Sequence, residues 1–193
     1  MAIAGIVLAA GSAMRMGEPK QLLPYRGSTL LNVVIASAEA SRLDRVVVVT
    51  GANAEAVGDS LVTQRATVIF NPDFRLPNMA SVVRGAKSVE ADAFVTLPAD
   101  MPGISAEVID AVIDWWEAES PWAAMTEYLD RASHPFLLSW TALEEATEVE
   151  GPKVLWRMLA HDDSGRVTRV TVAQTAPRDI NTPQEYEALL ADG

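Results

Sequence analysis

Cysteine is absent from the 193-residue chain, which excludes disulfides, thiolate zinc sites, iron–sulfur clusters and cysteine nucleophiles together. Histidine is scarce: the chain has two, His134 and His161. Basic residues are in deficit, with 15 Lys and Arg against 26 Asp and Glu and a formal net charge of -11. Nucleic acid is therefore not an expected partner, because binding it needs clustered cations that displace counterions from phosphates. A small phosphate ligand stays compatible with the composition, since a few local cations, backbone amides and a divalent metal can hold one on an acidic protein. No apolar run approaches the roughly 20 residues that span a bilayer, and the opening MAIAGIVLAAG has no basic region ahead of its apolar one. A soluble, cytoplasmic protein with no membrane partner is the expectation. Two familiar phosphate motifs are also missing: no Gly-Lys is followed by Ser or Thr, and no Gly-x-Gly-x-x-Gly is present, so neither a P-loop nor a dinucleotide fingerprint is available.

What the chain does have is apolar residues, 49% of the total, enough for a substantial core in one domain spanning residues 1–193. Their spacing changes along the chain. Residues 2–10, 45–50, 66–70 and 93–97 are short apolar runs rich in β-branched residues, which predict buried strands. Between them, residues 29–40, 54–61 and 79–89 carry helical spacing. This alternation predicts an α/β fold around a parallel sheet with right-handed crossovers. The second half is less regular, with helices predicted over 105–117, 141–146 and 154–160 and strands over 123–126, 136–138 and 167–172. A last helix is expected over 182–190, with Thr182 as cap, Pro183 at the first position and Glu185 closing a capping box. Trp115 and Trp116, beside Ile109, Val112 and Ile113, are expected to pack into the core or a subunit contact.

In such sheets ligands bind beyond the carboxyl ends of the strands, so the residues just after strands carry the chemistry. The segment Gly11-Ser12-Ala13-Met14-Arg15-Met16-Gly17-Glu18-Pro19-Lys20 leaves the first strand directly. Its glycines allow a tight turn that brings amide hydrogens close to a ligand, and Arg15 and Lys20 have the charge to engage phosphates. An ordinary surface turn has the same glycine content. Asp100, in Leu97-Pro98-Ala99-Asp100-Met101-Pro102, stands where a buried strand ends. A carboxylate there suits magnesium, which takes one or two carboxylates and completes its octahedron with water and phosphates. It is equally suited to being a turn acid near the start of the next helix.

The stretch LAAGSAMRMGEPKQLLPYRGSTLL resembles the opening signature of the molybdenum cofactor nucleotidyltransferases, LA[AG]GxSxRMGxxK, through Leu8, Ala9, Gly11, Arg15, Met16, Gly17 and Lys20, with Ala13 where Ser is common. The resemblance implies a three-layer, Rossmann-like nucleotidyltransferase fold with a mostly parallel central sheet. It implies that Leu8, Ala9, Ala10, Gly11, Ser12, Arg15, Gly17 and Lys20 surround the nucleotide, with Arg15 and Lys20 neutralising its triphosphate. LPADMP is similar to the second signature, whose acid holds Mg2+, and makes Asp100 a catalytic residue with Arg15 and Lys20. Asn71 to Ser81 resembles the segment NPxWxxGMxxSL near the base and ribose, which implicates Asn71, Asn78 and Ser81; Pro77 stands at the glycine and Asn78 at the methionine. Ser133-His134-Pro135 resembles Gly-His-Pro and makes His134 an acceptor-site residue, whereas Gly151-Pro152-Lys153 lacks the acid that relatives carry. Asp179-Ile180-Asn181-Thr182-Pro183 resembles the closing DIDTPEDY, with Asn181 as a second metal ligand through its carbonyl oxygen.

Within that family Ala10 is the residue found in members that use CTP, and the implied partners are CTP, or another NTP, and a phosphorylated acceptor, molybdopterin. A transient contact with the molybdoenzyme that receives the product goes with it. The alternatives are another NTP with a different acceptor, such as a sugar phosphate, and a non-catalytic delivery subunit. Retention of Arg15, Lys20 and Asp100 speaks against the last.

Overall fold

The computed structural model describes residues 1–11, 19–76 and 78–191. Strand β1 (Ile3–Ala9) is followed by a 3-10 turn at Lys20–Leu22 and a small hairpin, β2 (Pro24–Tyr25) and β3 (Ser28–Thr29). Helix α1 (Leu30–Ala40), β4 (Arg45–Thr50), α2 (Ala54–Ser60), β5 (Thr67–Phe70), α3 (Met79–Ala86) and β6 (Ala93–Pro98) continue the alternation. The remainder is α4 (Ala106–Glu119), β7 (Ala123–Glu127), β8 (Ala132–Ser139), α5 (Trp140–Thr147), α6 (Val154–Ala160), β9 (Val167–Thr171) and α7 (Pro183–Ala191).

Among the described residues the main sheet has seven strands in the order β5-β4-β1-β6-β8-β7-β9. β8 alone runs against the others. Alternation of side chains along each strand divides the core into two layers. Ile3, Val7 and Ala9 of β1, Val46 and Val48 of β4, and Val95 and Leu97 of β6 pack with α1 and α4. Ala4, Ile6, Val47, Val49 and Phe94 join Val82, Ala142, Leu143 and Leu155 from α3, α5 and α6 on the opposite face. Both faces are covered, which is why these strands read as continuous apolar runs rather than alternating ones. The result is the expected three-layer α/β fold. Trp116 is buried in the first layer, while Trp115 beside it is 38% exposed.

The helices start where the sequence suggests. Thr29 caps α1 by accepting from the Asn32 amide at 3.2 Å. Thr182 and Glu185 form the anticipated capping box, the Glu185 carboxylate accepting from the Asn181 and Thr182 amides at 2.8 Å each and Thr182 Oγ1 from the Glu185 amide at 3.3 Å. Among the described residues no helix is long and apolar enough to cross a membrane.

Two departures from the sequence expectation bear on the site. The β2–β3 hairpin escaped prediction because its two-residue turn is Arg26-Gly27, with φ of 49° and 73°. Turns of that geometry usually draw Asn or Asp at the first position; here the Arg26 guanidinium lies 5.2 Å from the Tyr25 ring centroid. Strand β8 also begins four residues earlier than its apolar core at 136–138, as Ala132-Ser133-His134-Pro135 extends along β7 past an irregularity at Met125/Thr126. Pro135 has no amide hydrogen for a ladder, and pairing of β8 with β6 stops at Thr96–Phe136. The last residues of β6 are thereby left open on that side.

β4 and β5 lie to one side of β1 and β6 to the other, so the chain order reverses between β1 and β6, where α/β sheets open a crevice. Gly51, at the end of β4, closes the floor behind it. A Cβ there would lie 2.5 Å from Phe74 Cβ and 2.7 Å from the Ala10 carbonyl oxygen, and a backbone atom cannot swing aside. Gly51→Ala is therefore expected to destabilise the fold by about 1–3 kcal/mol, read as a lower urea midpoint with an unchanged slope.

Candidate active site

The exits of β1 and β6 are held side by side: the Ala99 amide donates to the Leu8 carbonyl at 3.2 Å. Gln21, 2% exposed, fixes the start of the glycine loop by donating to the carbonyls of Ala9 at 3.0 Å and Gly11 at 2.8 Å. The turn at Lys20–Leu22 then aims the Lys20 ammonium at Asp100 Oδ2, with which it pairs directly, and at Asn181 Oδ1, 2.9 Å away. Residues 80 and 161 positions apart in sequence meet at this point.

Asn181 is delivered there by backbone. The Ile180 amide donates to the Asp100 carbonyl at 3.0 Å, and Ile180 is buried with Leu23, Tyr25 and Leu30. Asp179 Oδ2 accepts from Asn181 Nδ2 at 2.6 Å, so the amide turns its oxygen, not its nitrogen, toward Lys20. Asp100 and Asn181 thus present two hard oxygens converging on one cationic group, a donor set that suits magnesium or manganese. Among the described residues no group of three or more His, Asp or Glu side chains gathers; a divalent ion held here would draw its other ligands from water and phosphate oxygens.

A cavity of about 1080 Å³ opens in front of this cluster. Leu8, Ala10, Gly11 and Asn78 line it together with Arg131, His134, Phe136, Lys153 and Trp156. Lys20, Arg75, Arg131 and Lys153 outnumber the lining carboxylates Asp100 and Asp179, so the described lining carries positive charge in a protein whose overall charge is strongly negative. Arg131 is oriented by Asp130 at 2.9 Å and by the Pro177 carbonyl at 3.0 Å.

His134 stacks on Phe136 with ring centroids 3.9 Å apart. Its Nδ1 is 3.2 Å from Thr96 Oγ1 and 3.4 Å from the Thr96 carbonyl. Burial lowers its pKa to about 4, against smaller upward pulls from the Thr96 carbonyl and Asp179. The ring is neutral near pH 7, available for stacking and hydrogen bonding but not as a phosphate-binding cation. Tyr128, whose phenol burial drives upward, donates to the His134 carbonyl at 2.7 Å.

The other residues singled out in the sequence fall into three groups. Ser12, Arg15 and Gly17 lie outside the described residues, as does Pro77. Leu8, Ala10, Gly11, Lys20, Asn78, Ser81, Asp100, His134 and Asn181 line the cavity. Ala9 faces the core instead, and Asn71, 2% exposed, organises its own loop: its Nδ2 donates to Ser81 Oγ at 3.0 Å and its Oδ1 accepts from the Asp73 amide at 3.0 Å. Sequence reasoning missed Gln21, Arg75, Arg131, Trp156 and the orienting role of Asp179. Asp179 was within reach, two residues before Asn181 in a recognisable motif; the others carry no local signal.

A family model matches residues 5–167, that of the MobA-like NTP transferase domain. The chain belongs to this family. It is an NTP transferase, and its α/β fold is that of nucleotidyltransferases. The chain is similar to the purine catabolism protein PucB of Bacillus subtilis (strain 168), 29% identical over 95% of this chain and 93% of that one. It is also similar to the molybdenum cofactor cytidylyltransferase of Escherichia coli (strain K12), 27% identical over 96% and 94%. The crystal structure of Rv0371c from Mycobacterium tuberculosis H37Rv matches with a TM-score of 0.86 at 28% identity, covering 99% and 98% of the two chains. The same protein's complex with manganese matches at 0.82 and 27% over the whole of both.

The His134 environment of this MobA-like transferase makes a signed prediction. A folded-state pKa of about 4 below the ordinary 6.5 means that between those values the unfolded chain binds a proton the folded one does not. The stability of the neutral ring is intact above about pH 6.5 and is lost as pH falls toward 4. Urea unfolding at about pH 7 and about pH 5 should show this loss, and His134→Asn should make the difference smaller. NMR titration should find the His134 imidazole still neutral at about pH 6.

Proposed function

We propose that this protein transfers CMP from magnesium-bound CTP to the terminal phosphate of molybdopterin, releasing pyrophosphate. The observation that carries the reading is the meeting of Lys20, Asp100 and Asn181 at the reversal point between β1 and β6, at the head of a cavity lined by cations. Ala10 in the opening signature, and similarity over nearly the whole chain to an Escherichia coli cytidylyltransferase, support CTP over GTP.

In this reaction an acceptor phosphate oxygen attacks the α-phosphorus of the nucleotide, and the bond from that phosphorus to the β-phosphate bridging oxygen breaks. An ionised phosphate is nucleophile enough, so the protein's task is alignment and charge neutralisation. Asp100 and Asn181 would hold magnesium, which when bound supplies neutralisation and a template for the phosphates. Lys20 neutralises charge that develops on the departing pyrophosphate. Ala10 and Gly11 offer backbone to the nucleotide, their positions set by Gln21. Arg131 and Lys153, which line the same cavity, attract the acceptor's phosphate, while His134, Phe136 and Trp156 provide aromatic surface and a neutral hydrogen-bonding ring.

Thermal unfolding with CTP, GTP, ATP and UTP, each with and without magnesium, tests this reading. CTP with magnesium at about 100 times its dissociation constant is expected to stabilise the protein by roughly 2.7 kcal/mol and to exceed the other nucleotides. A preference for GTP would reassign the substrate, and the absence of any nucleotide effect would count against the reading as a whole. Asp100→Asn is expected to abolish the magnesium-dependent part of the gain and to lower turnover by at least about a hundredfold.

A further inference from the structure

The Lys20 ammonium sits on the same two oxygens, Asp100 Oδ2 and Asn181 Oδ1, that form the metal-binding pair of the proposed function. We propose that Lys20 and the divalent cation are alternative occupants of this oxygen pair, and that the nucleotide's phosphates decide between them by drawing the ammonium away. The inference rests on the assignment of Asp100 and Asn181 as metal ligands.

Charge is what makes the two exclusive. One carboxylate and one neutral amide carry a single negative charge, and one ammonium cancels it. A divalent ion placed on the same oxygens with the ammonium still in contact would leave two units of uncompensated positive charge in a partly enclosed site, since both the Lys20 and Asp100 side chains are 17% exposed. A second carboxylate at position 181 would lessen that repulsion. Asn181 cannot, and its own partner Asp179 points at its nitrogen rather than into the pair. The polyphosphate resolves the conflict by supplying anionic oxygens to both cations at once. Lys20 has little distance to travel, because it lines the same cavity as Ala10 and Gly11, where the phosphates are expected.

Coupling of this kind is reciprocal: if nucleotide strengthens metal binding by some factor, metal strengthens nucleotide binding by the same factor. Removing Lys20 should uncouple them. The chain's three lysines, Lys20, Lys87 and Lys153, make the ammonium easy to follow.

The test uses the full chain and manganese(II), with free metal read from its EPR signal. Without nucleotide, Lys20→Met and Lys20→Ala are each expected to bind manganese at least about tenfold tighter than the unsubstituted protein, and Lys20→Met combined with Asp100→Asn is expected to lose that gain. In unsubstituted protein with carbon-13 at lysine Cε, saturating magnesium alone should shift the resonance that is missing from Lys20→Met. That second measurement needs no folded variant beyond the assignment control. Unchanged manganese affinity in both Lys20 variants, with CTP still tightening manganese on the unsubstituted protein, would overturn the exclusion while leaving the metal site in place. A Lys20 resonance that stays put as magnesium saturates an Asp100-dependent site would do the same. Manganese binding indifferent to Asp100→Asn in the presence of CTP would overturn the metal assignment and the inference together.

Discussion

Everything distinctive about this molecule converges on the bridge from Lys20 to Asp100 and Asn181. Three segments remote in sequence must be in register for it to form: the turn after the glycine loop, the end of β6, and the irregular segment leading into α7. Each is held by contacts away from the bridge itself. Gln21 ties the turn to the end of β1 through two hydrogen bonds, the Ala99 amide ties β6 to β1, and the Ile180 amide ties the C-terminal segment to the Asp100 carbonyl. The capping box at Thr182 and Glu185 then stops that segment from sliding, since its carboxylate takes the Asn181 amide as well as that of Thr182. The floor of the site is thus fixed by backbone hydrogen bonds together with the side chains of Gln21 and Glu185.

The distribution of charge follows from the same arrangement. The chain as a whole carries an excess of acids, whereas the cavity lining has Lys20, Arg75, Arg131 and Lys153 against the carboxylates Asp100 and Asp179. Lys20, whose side chain is 17% exposed, is the least screened of these cations, whereas Arg75, Arg131 and Lys153 are exposed and solvent screens them as it does the surface acids. His134 shows the limit of that attraction: burial beside Phe136 keeps its ring uncharged, so the cavity combines cations with neutral aromatic surface.

The end of β1, Lys20 and the LPADMP corner agree with the family signatures, whereas Asn78, Ser133, Pro152 and Asn181 differ, and all four of these line the cavity. A position that must supply charge can be filled by few residue types, whereas shape can be rebuilt with different residues when a substrate changes.

Much of the architecture was legible in the amino-acid order alone. Continuous β-branched runs such as Arg45-Val46-Val47-Val48-Val49-Thr50 can be strands only if both faces are covered, so the parallel three-layer sheet followed, and Thr182 with Glu185 marked a helix start through chemistry local to four residues. Lys20 and Asp100 were legible as well, because each follows a buried strand. Invisible were the features created by contact at long range. The Arg26-Gly27 turn, the extension of β8 through His134 and Pro135, and the arrival of Arg131 and Trp156 beside the same cavity depend on pairing partners tens of residues away. Asn181 stands between the two classes. The resemblance of Asp179 to Pro183 to a family element pointed to it as a metal ligand, but its local chemistry says only that a helix begins there, and the same residue serves as a helix-start residue or as half of a cation site depending on where the chain comes to rest. Sequence determined which groups were present and which local elements they form; the packing of Ile180 beneath the β2–β3 hairpin and the orientation imposed by Asp179 decided that an uncharged amide would share a cation with Asp100.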